Sequence, residues 1–279
     1  MGKCIYCGKD AGLLRKSHKE CEIRHAEGEK KIFQMATSAS LGTTQLEALV
    51  LDLKTISERS FISPDETKTL LVKAFEAGIE KSLEDDILTE NEENALTSYR
   101  EHFHLTQRDL DNNGAYTRLV QAALLREVMN GKIPSRVSVK GDLPFNFQKS
   151  EQLVWLFQQV PYYEPRTRTT YSGGYSGVSV RVAKGLYWRT GGFRGNPVKH
   201  TEMIHIDTGL VGVTNKHVYF TGSVKSFRIK YQKIVSFSPF SDGIAIQRDA
   251  ASAKSQVFKT GDGWFIYNLL TNLAKLEAA

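Results

Sequence analysis

Gly209-Leu210-Val211-Gly212-Val213-Thr214-Asn215-Lys216-His217-Val218-Tyr219-Phe220-Thr221-Gly222 reads as two strands and the turn between them. Leu210–Val213 and Val218–Thr221 are short runs rich in β-branched and aromatic residues. The polar residues that part them are turn formers. Runs of the same kind precede this stretch at Leu153–Phe157, Val178–Val182, Leu186–Arg189 and Met203–Ile206. Others follow at Ser226–Ile229, Ile234–Phe237, Ile244–Gln247 and Gln256–Phe258. Gly, Asn, Asp and Ser turns separate them, a pattern that predicts a small antiparallel barrel or sandwich. Gly261-Asp262-Gly263 then leads into Trp264, Ile266, Leu269, Leu270 and Leu273, the apolar face of an amphipathic C-terminal helix.

Upstream the apolar period is helical. Leu46, Leu49, Val50, Leu53 and Ile56 form one stripe, and Glu29–Met35 predicts a helix before it. Ser63-Pro64-Asp65-Glu66 starts another helix with a serine cap, proline at the first position and acids facing the dipole. Thr89-Glu90-Asn91-Glu92 is a capping box before Leu96, Tyr99 and Phe103. A last helix runs from about Gly114 to Met129 and stops at Asn130-Gly131. Ile133–Pro144, with two prolines and a glycine, reads as a linker. The expected organisation is an α+β multi-domain protein: a zinc finger at 1–27, a helical domain at 28–132, a linker at 133–144 and a β-domain at 145–279.

The 279 residues and an apolar fraction of 41% allow a real core. No apolar run is long enough for a transmembrane segment, and the N-terminal stretch lacks the apolar core of a secretory signal. The expected location is therefore cytoplasmic. A net charge of +6 permits nucleic acid, anionic lipid or an acidic protein as partner and selects none of them. Oligomeric state is not readable from these features.

All three cysteines, Cys4, Cys7 and Cys21, lie in the first segment, which in a reducing compartment points to metal ligation. Cys4-x2-Cys7 is followed after ten residues by His18-x2-Cys21. A Cys-x2-Cys pair on a tight turn, with Gly8 just after it, lets both thiolates face one ion. Three thiolates and one imidazole complete a tetrahedron for structural zinc, Zn(2+), and leave no position open for a catalytic water. His25 is the alternative to His18, which is preferred because His18-x2-Cys21 repeats the spacing of the first pair. Arg15, Lys16, Lys19 and Arg24 surround the finger and allow contact with nucleic-acid phosphates.

The run from Gly209 to Gly222 resembles GRAM and bacterial PH-like domains, whose hallmark is strand, Thr-Asn-Lys turn, and a second strand ending in an aromatic residue and glycine. Lys225–Ile229 and Lys233–Phe237 continue that pattern. The resemblance covers roughly residues 145 to 276 and implies a curved antiparallel barrel closed by one helix. The whole arrangement is similar to uncharacterised prokaryotic proteins that join a short zinc finger to such a domain, which implies a bacterial source. The middle helices weakly resemble TerB-like domains, whose acidic clusters Asp85, Asp86, Glu90, Glu92 and Glu93 echo. PH-like domains bind phosphoinositides in some cases and peptides or proteins in others. In the inserted segment, Arg166, Arg168, Lys184, Arg189 and Arg194 alternate with aromatic residues, a composition suited to phosphate, anionic headgroups or an acidic peptide.

Other motifs fail on their chemistry. Asp109-x-Asp111-x-Asn113-Gly114 opens like a calcium loop, but Val120 stands where the bidentate glutamate belongs. Strand alternation puts His200 and His205 on opposite faces. Val178 breaks the G-x-S-x-G pattern, and no phosphate-cradling glycine motif is present. The function expected is thus a non-enzymatic adaptor whose PH-like domain docks a protein or an anionic surface. The alternatives are a nucleic-acid-associated protein acting through its basic finger, and an enzyme with an unrecognised site.

Overall fold

The computed structural model describes residues 2–12, 15–84, 87–139, 141–183, 186–250 and 253–278, and for residues 168 and 170–199 the backbone alone. The chain divides into two compact units, Met1–Pro134 and Ser135–Ala279.

In the first unit, helix α1 spans Lys19–Ser40, α2 Leu46–Ser60, α3 Pro64–Ser82, α4 Glu90–His102, α5 Gln107–Leu110 and α6 Ala115–Met129. Helix α1 starts ten residues before the Glu29 expected from periodicity. His18 is its N-cap and Cys21 lies in its first turn, so residue 27 falls inside an unbroken helix. The cause is local: Glu20 and Glu22 complement the positive end of the helix dipole.

Helices α3 and α4 begin where their boxes predict. Ser63 Oγ accepts from the Glu66 N–H at 3.2 Å, and Glu66 Oε2 accepts from the Ser63 N–H at 2.7 Å. Thr89 and Glu92 make the same reciprocal pair. Each box satisfies two amides that the helix itself cannot, and loss of such a cap costs about 1 kcal/mol. The stripes converge on a core that includes Ile32, Leu49, Leu71, Phe75, Leu96 and Tyr99. Glycine permits two close helix approaches: a Cβ at Gly28 would overlap the Ser60 side chain, and one at Gly78 would overlap Ser40 Oγ. The tyrosine hydroxyl at the centre is not orphaned, because Tyr99 donates to the Leu71 carbonyl at 3.1 Å.

The second unit contains β1 Leu153–Ala183, β2 Leu186–Thr214, β3 His217–Gly222, β4 Ser226–Lys230, β5 Ile234–Phe240, β6 Gly243–Arg248, β7 Gln256–Phe258 and helix α7 Gly263–Ala278. They form one curled antiparallel sheet in the order β4-β3-β2-β1-β7-β6-β5. Strands β4 and β5 are its edges, so hydrogen bonding does not close the barrel that the resemblance implies. Helix α7 lies against β5 and β6, and its Phe265 ring meets Trp155 at 5.1 Å. Tyr162, Phe220, Phe227 and Phe258 make a central aromatic cluster with centroids 5.0–6.3 Å apart.

Four separate runs expected before residue 207 are instead parts of two very long strands. Their register runs from Tyr163↔His205 to Arg181↔Tyr187, with Gly173 opposite Gly195 and Gly177 opposite Gly191. Glycines that read as turns are paired backbone. Pro165 and Pro197 fit because half the amides of a two-stranded ribbon point away from the partner strand and need no ladder bond.

Candidate metal centre

Residues 2–12 fold into a knuckle. Lys3 and Asp10 bridge, the Cys4 N–H donates to the Lys9 carbonyl at 2.7 Å, and the Gly8 N–H donates to the Cys4 carbonyl at 2.9 Å. Gly8 has φ 72°, the left-handed backbone that glycine adopts without strain and that closes the turn after Cys7. This turn presents Cys4 and Cys7 to the start of α1, where His18 and Cys21 stand one turn apart.

The ligand atoms of Cys4, Cys7, His18 and Cys21 all lie within 4.8 Å of one another. His18 Nδ1 is 3.4 Å from Cys7 Sγ and 3.8 Å from Cys21 Sγ. Tetrahedral ligation at bond lengths of about 2.0–2.3 Å places donor atoms roughly 3.3–3.8 Å apart, so the group fits a single ion. The imidazole is also held in the right tautomer. Its Nε2–H donates to the Asp10 carbonyl at 2.8 Å, which leaves the Nδ1 lone pair facing the sulfurs.

The thiols show the strain of gathering three sulfurs. Burial opposes ionisation of Cys4, yet the backbone N–H groups of Cys7, His18 and Tyr6 bring it down to about 6. Burial and then the neighbouring sulfurs of Cys7 and Cys4 push Cys21 up to about 11. A divalent cation removes that conflict by neutralising both thiolates.

His25 belongs to a different contact. It is buried, its ring packs at a tilt against Tyr6 with centroids 4.8 Å apart, and its nitrogens lie 3.6 Å from Glu29 and from Glu66. Tyr6 also faces Phe61 at 6.4 Å, so these rings fasten the knuckle to α1 and the end of α2.

Among the described residues no other group of three or more His, Cys, Asp or Glu converges in this way. Asp109 is the third residue of a helix whose capping box it forms with Thr106 and pairs with Lys68 at 2.8 Å, while Asp111, the C-cap of α5, accepts from the Thr117 N–H in the first turn of α6. Asp207 is buried and accepts from the Val224 and Lys225 amides. Burial alone would raise its carboxyl, but those bonds hold it at about 2. Asp85 and Asp86 lie outside the described residues.

Four of the cationic residues expected to bind anions, Arg166, Arg168, Arg189 and Arg194, occupy separate positions in the backbone register of the ribbon. Arg166 is exposed and opposite Glu202 in the register. Of Arg168, Arg189 and Arg194 only the backbone is described: they pair with His200, Ser179 and Gly174. Lys184 lies outside the described residues. The eight residue steps from Arg166 to Gly174 span about 27 Å of strand, so these cations are strung along the ribbon.

One polar cluster was invisible in the sequence. Glu151 Oε1 accepts from Thr214 Oγ1 at 2.6 Å and lies 2.7 Å from His217 Nδ1, while Oε2 accepts from Tyr219 at 2.7 Å and from the Gln148 N–H at 2.7 Å. Phe145 and Phe147 cover Tyr219 at 5.5 and 5.3 Å. Asn215 in turn exchanges bonds with the Gln152 backbone. The Thr-Asn-Lys-His turn therefore clamps the segment that enters β1. No local sequence signal announces this, because the partners are more than sixty residues apart.

No family model matches the chain, and no curated protein does.

Proposed function

We propose that this is a non-enzymatic, zinc-containing adaptor whose β-unit docks a protein or an anionic surface. The observation that carries it is the closed Cys4–Cys7–His18–Cys21 set with His18 oriented by the Asp10 carbonyl. Three thiolates and an imidazole suit zinc, which takes four such ligands without a geometric preference of its own. With four protein donors no position remains for water or substrate, so the ion's role is to hold the knuckle onto α1. The resemblance of the β-unit to GRAM and PH-like domains is supported by its sheet order and by the terminal helix that covers β5 and β6. Among the described residues no helix is long and apolar enough to cross a membrane. The test is metal content by mass spectrometry under native conditions. The full-length protein should carry one zinc per chain, and Cys7→Ser should lose most of it. Full zinc content in that variant sinks the site.

A further inference from the structure

We propose that the β1–β2 ribbon is an arm for double-stranded DNA, bound chiefly through its phosphates. This rests on the reading of the β-unit as a docking module and names the anionic surface. From Glu164↔Ile204 to Ala183↔Leu186 the two strands pair with each other. Strand β7 reaches β1 only at Tyr162 and Tyr163, and β3 reaches β2 only at Gly209–Val213. Among the described residues both edges of the arm are therefore free. Twenty residues of β1 and nineteen of β2 at about 3.4 Å each give an arm of roughly 65–68 Å, the length of about two turns of B-form DNA.

Past Glu164 and Glu202 at its base, the charge of the arm has one sign. Residues 165–201 contain seven Lys and Arg and no Asp or Glu. Those seven exceed the +6 net charge of the whole chain, so the rest of the chain is slightly negative. In residues 1–27, by contrast, six cations are interleaved with four acids, which makes the finger the weaker phosphate surface. Charges, lysine above all, also protect free strand edges from pairing, but only two of these seven cations are lysines. A single sign over such a length calls for a polyanion.

Two features favour a duplex over a membrane. Arg166, Arg168 and Arg194 occupy one parity of the register, and Arg181, Arg189 and Lys199 the other. A planar bilayer meets one face of a ribbon, whereas a ribbon standing edge-on in a groove has a wall of phosphates against each face. The facing glycines, Gly173 with Gly195 and Gly177 with Gly191, mark places where another backbone can approach closely. The major groove of B-form DNA admits a two-stranded β-ribbon, and the narrow major groove of duplex RNA does not.

The test is fluorescence anisotropy of the full-length protein with a DNA duplex of about 30 base pairs, repeated from about 50 to 200 mM salt. Parallel titrations use an RNA duplex and phosphatidylserine vesicles. Each engaged phosphate contributes about −0.9 to the slope of log affinity against log salt, so seven give about −6. The triple variant Arg166→Gln, Arg168→Gln, Arg194→Gln should flatten the slope by about 2.7 with its thermal midpoint unchanged. The pair Arg189→Gln, Lys199→Gln should flatten it by about 1.8 and serves if the triple variant misfolds. DNA binding with a slope that neither variant alters overturns the arm as the contact. Vesicle binding without DNA binding, or preference for the RNA duplex, overturns the choice of DNA and leaves the anionic-surface reading standing. Binding to none of the three overturns both the arm and the anionic reading, and leaves only a protein as the docked partner.

Discussion

His217 Nδ1 lies 2.7 Å from Glu151 Oε1, with both side chains sealed from solvent, and this contact joins the turn between β2 and β3 to the residues that precede β1. The carboxylate also takes bonds from Thr214, Tyr219 and the Gln148 amide, so its charge is distributed over four donors. Burial by itself would raise the Glu151 carboxyl, and those donors outweigh it and hold the group below the usual carboxylate range.

The pH dependence of the β-unit follows from that direction. An unfolded glutamate titrates near about 4.3, above the folded group, so the stabilisation is complete above about pH 5 and is lost as pH falls through the folded value. Glu151→Gln should destabilise the unit by about 1–3 kcal/mol at neutral pH, because a neutral amide cannot accept from all the donors that the carboxylate serves and leaves buried polar groups unsatisfied. It should also flatten the acid limb of the thermal midpoint. An unchanged acid limb in the variant would show that other carboxylates set it.

Gly28→Ala should destabilise the first unit although alanine is the better helix former. The intrinsic gain is about 1 kcal/mol. The added methyl, however, occupies the place of the Ser60 side chain, and such overpacking costs about 1–3 kcal/mol. The double variant Gly28→Ala, Ser60→Gly should recover part of the loss in urea denaturation. A stabilised single variant would mean that α1 and α2 separate easily at this crossing.

The two histidines should separate in a metal assay. His18→Ala removes a ligand and should release most of the zinc. His25→Ala should keep it, since His25 is occupied by Tyr6, Glu29 and Glu66. Chelation of the wild-type protein should lower the thermal midpoint of the helical unit, because binding to the folded form alone is linked to stability. Equal zinc loss in both variants would overturn the assignment of His18.

Limited proteolysis should cut first between residues 132 and 144 and release a folded β-unit. The boundary between the two compact units falls at Pro134 and Ser135, and the Phe145 and Phe147 rings packed on Tyr219 protect the chain beyond. An unfolded C-terminal fragment would show that the β-unit depends on the helices.

What the sequence made legible was local. Ser63 and Thr89 announce their helices because a cap needs only a side chain and an amide three residues away. Cys4, Cys7, His18 and Cys21 are legible because knuckle and helix turn each fix a two-residue spacing. Spacing already favours His18 over His25, and what it does not reveal is the Asp10 carbonyl that orients the His18 ring. The ribbon is hidden because Gly173, Gly174 and Pro197 look like turn residues until their partners are known. Glu151 and His217 are hidden for the same reason, being adjacent only after the strands pair.

The register of β1 and β2 also fixes an order of events during folding. Ala183 and Leu186 are three residues apart, while Leu153 and Thr214, at the other end of the same pairing, are 61 residues apart. Each rung formed from the tip inward closes only a small additional loop, so the entropy of bringing distant segments together is met in steps. The arm acts as a zipper for the unit that bears it: a contact between remote parts of the chain is reached through a succession of near ones.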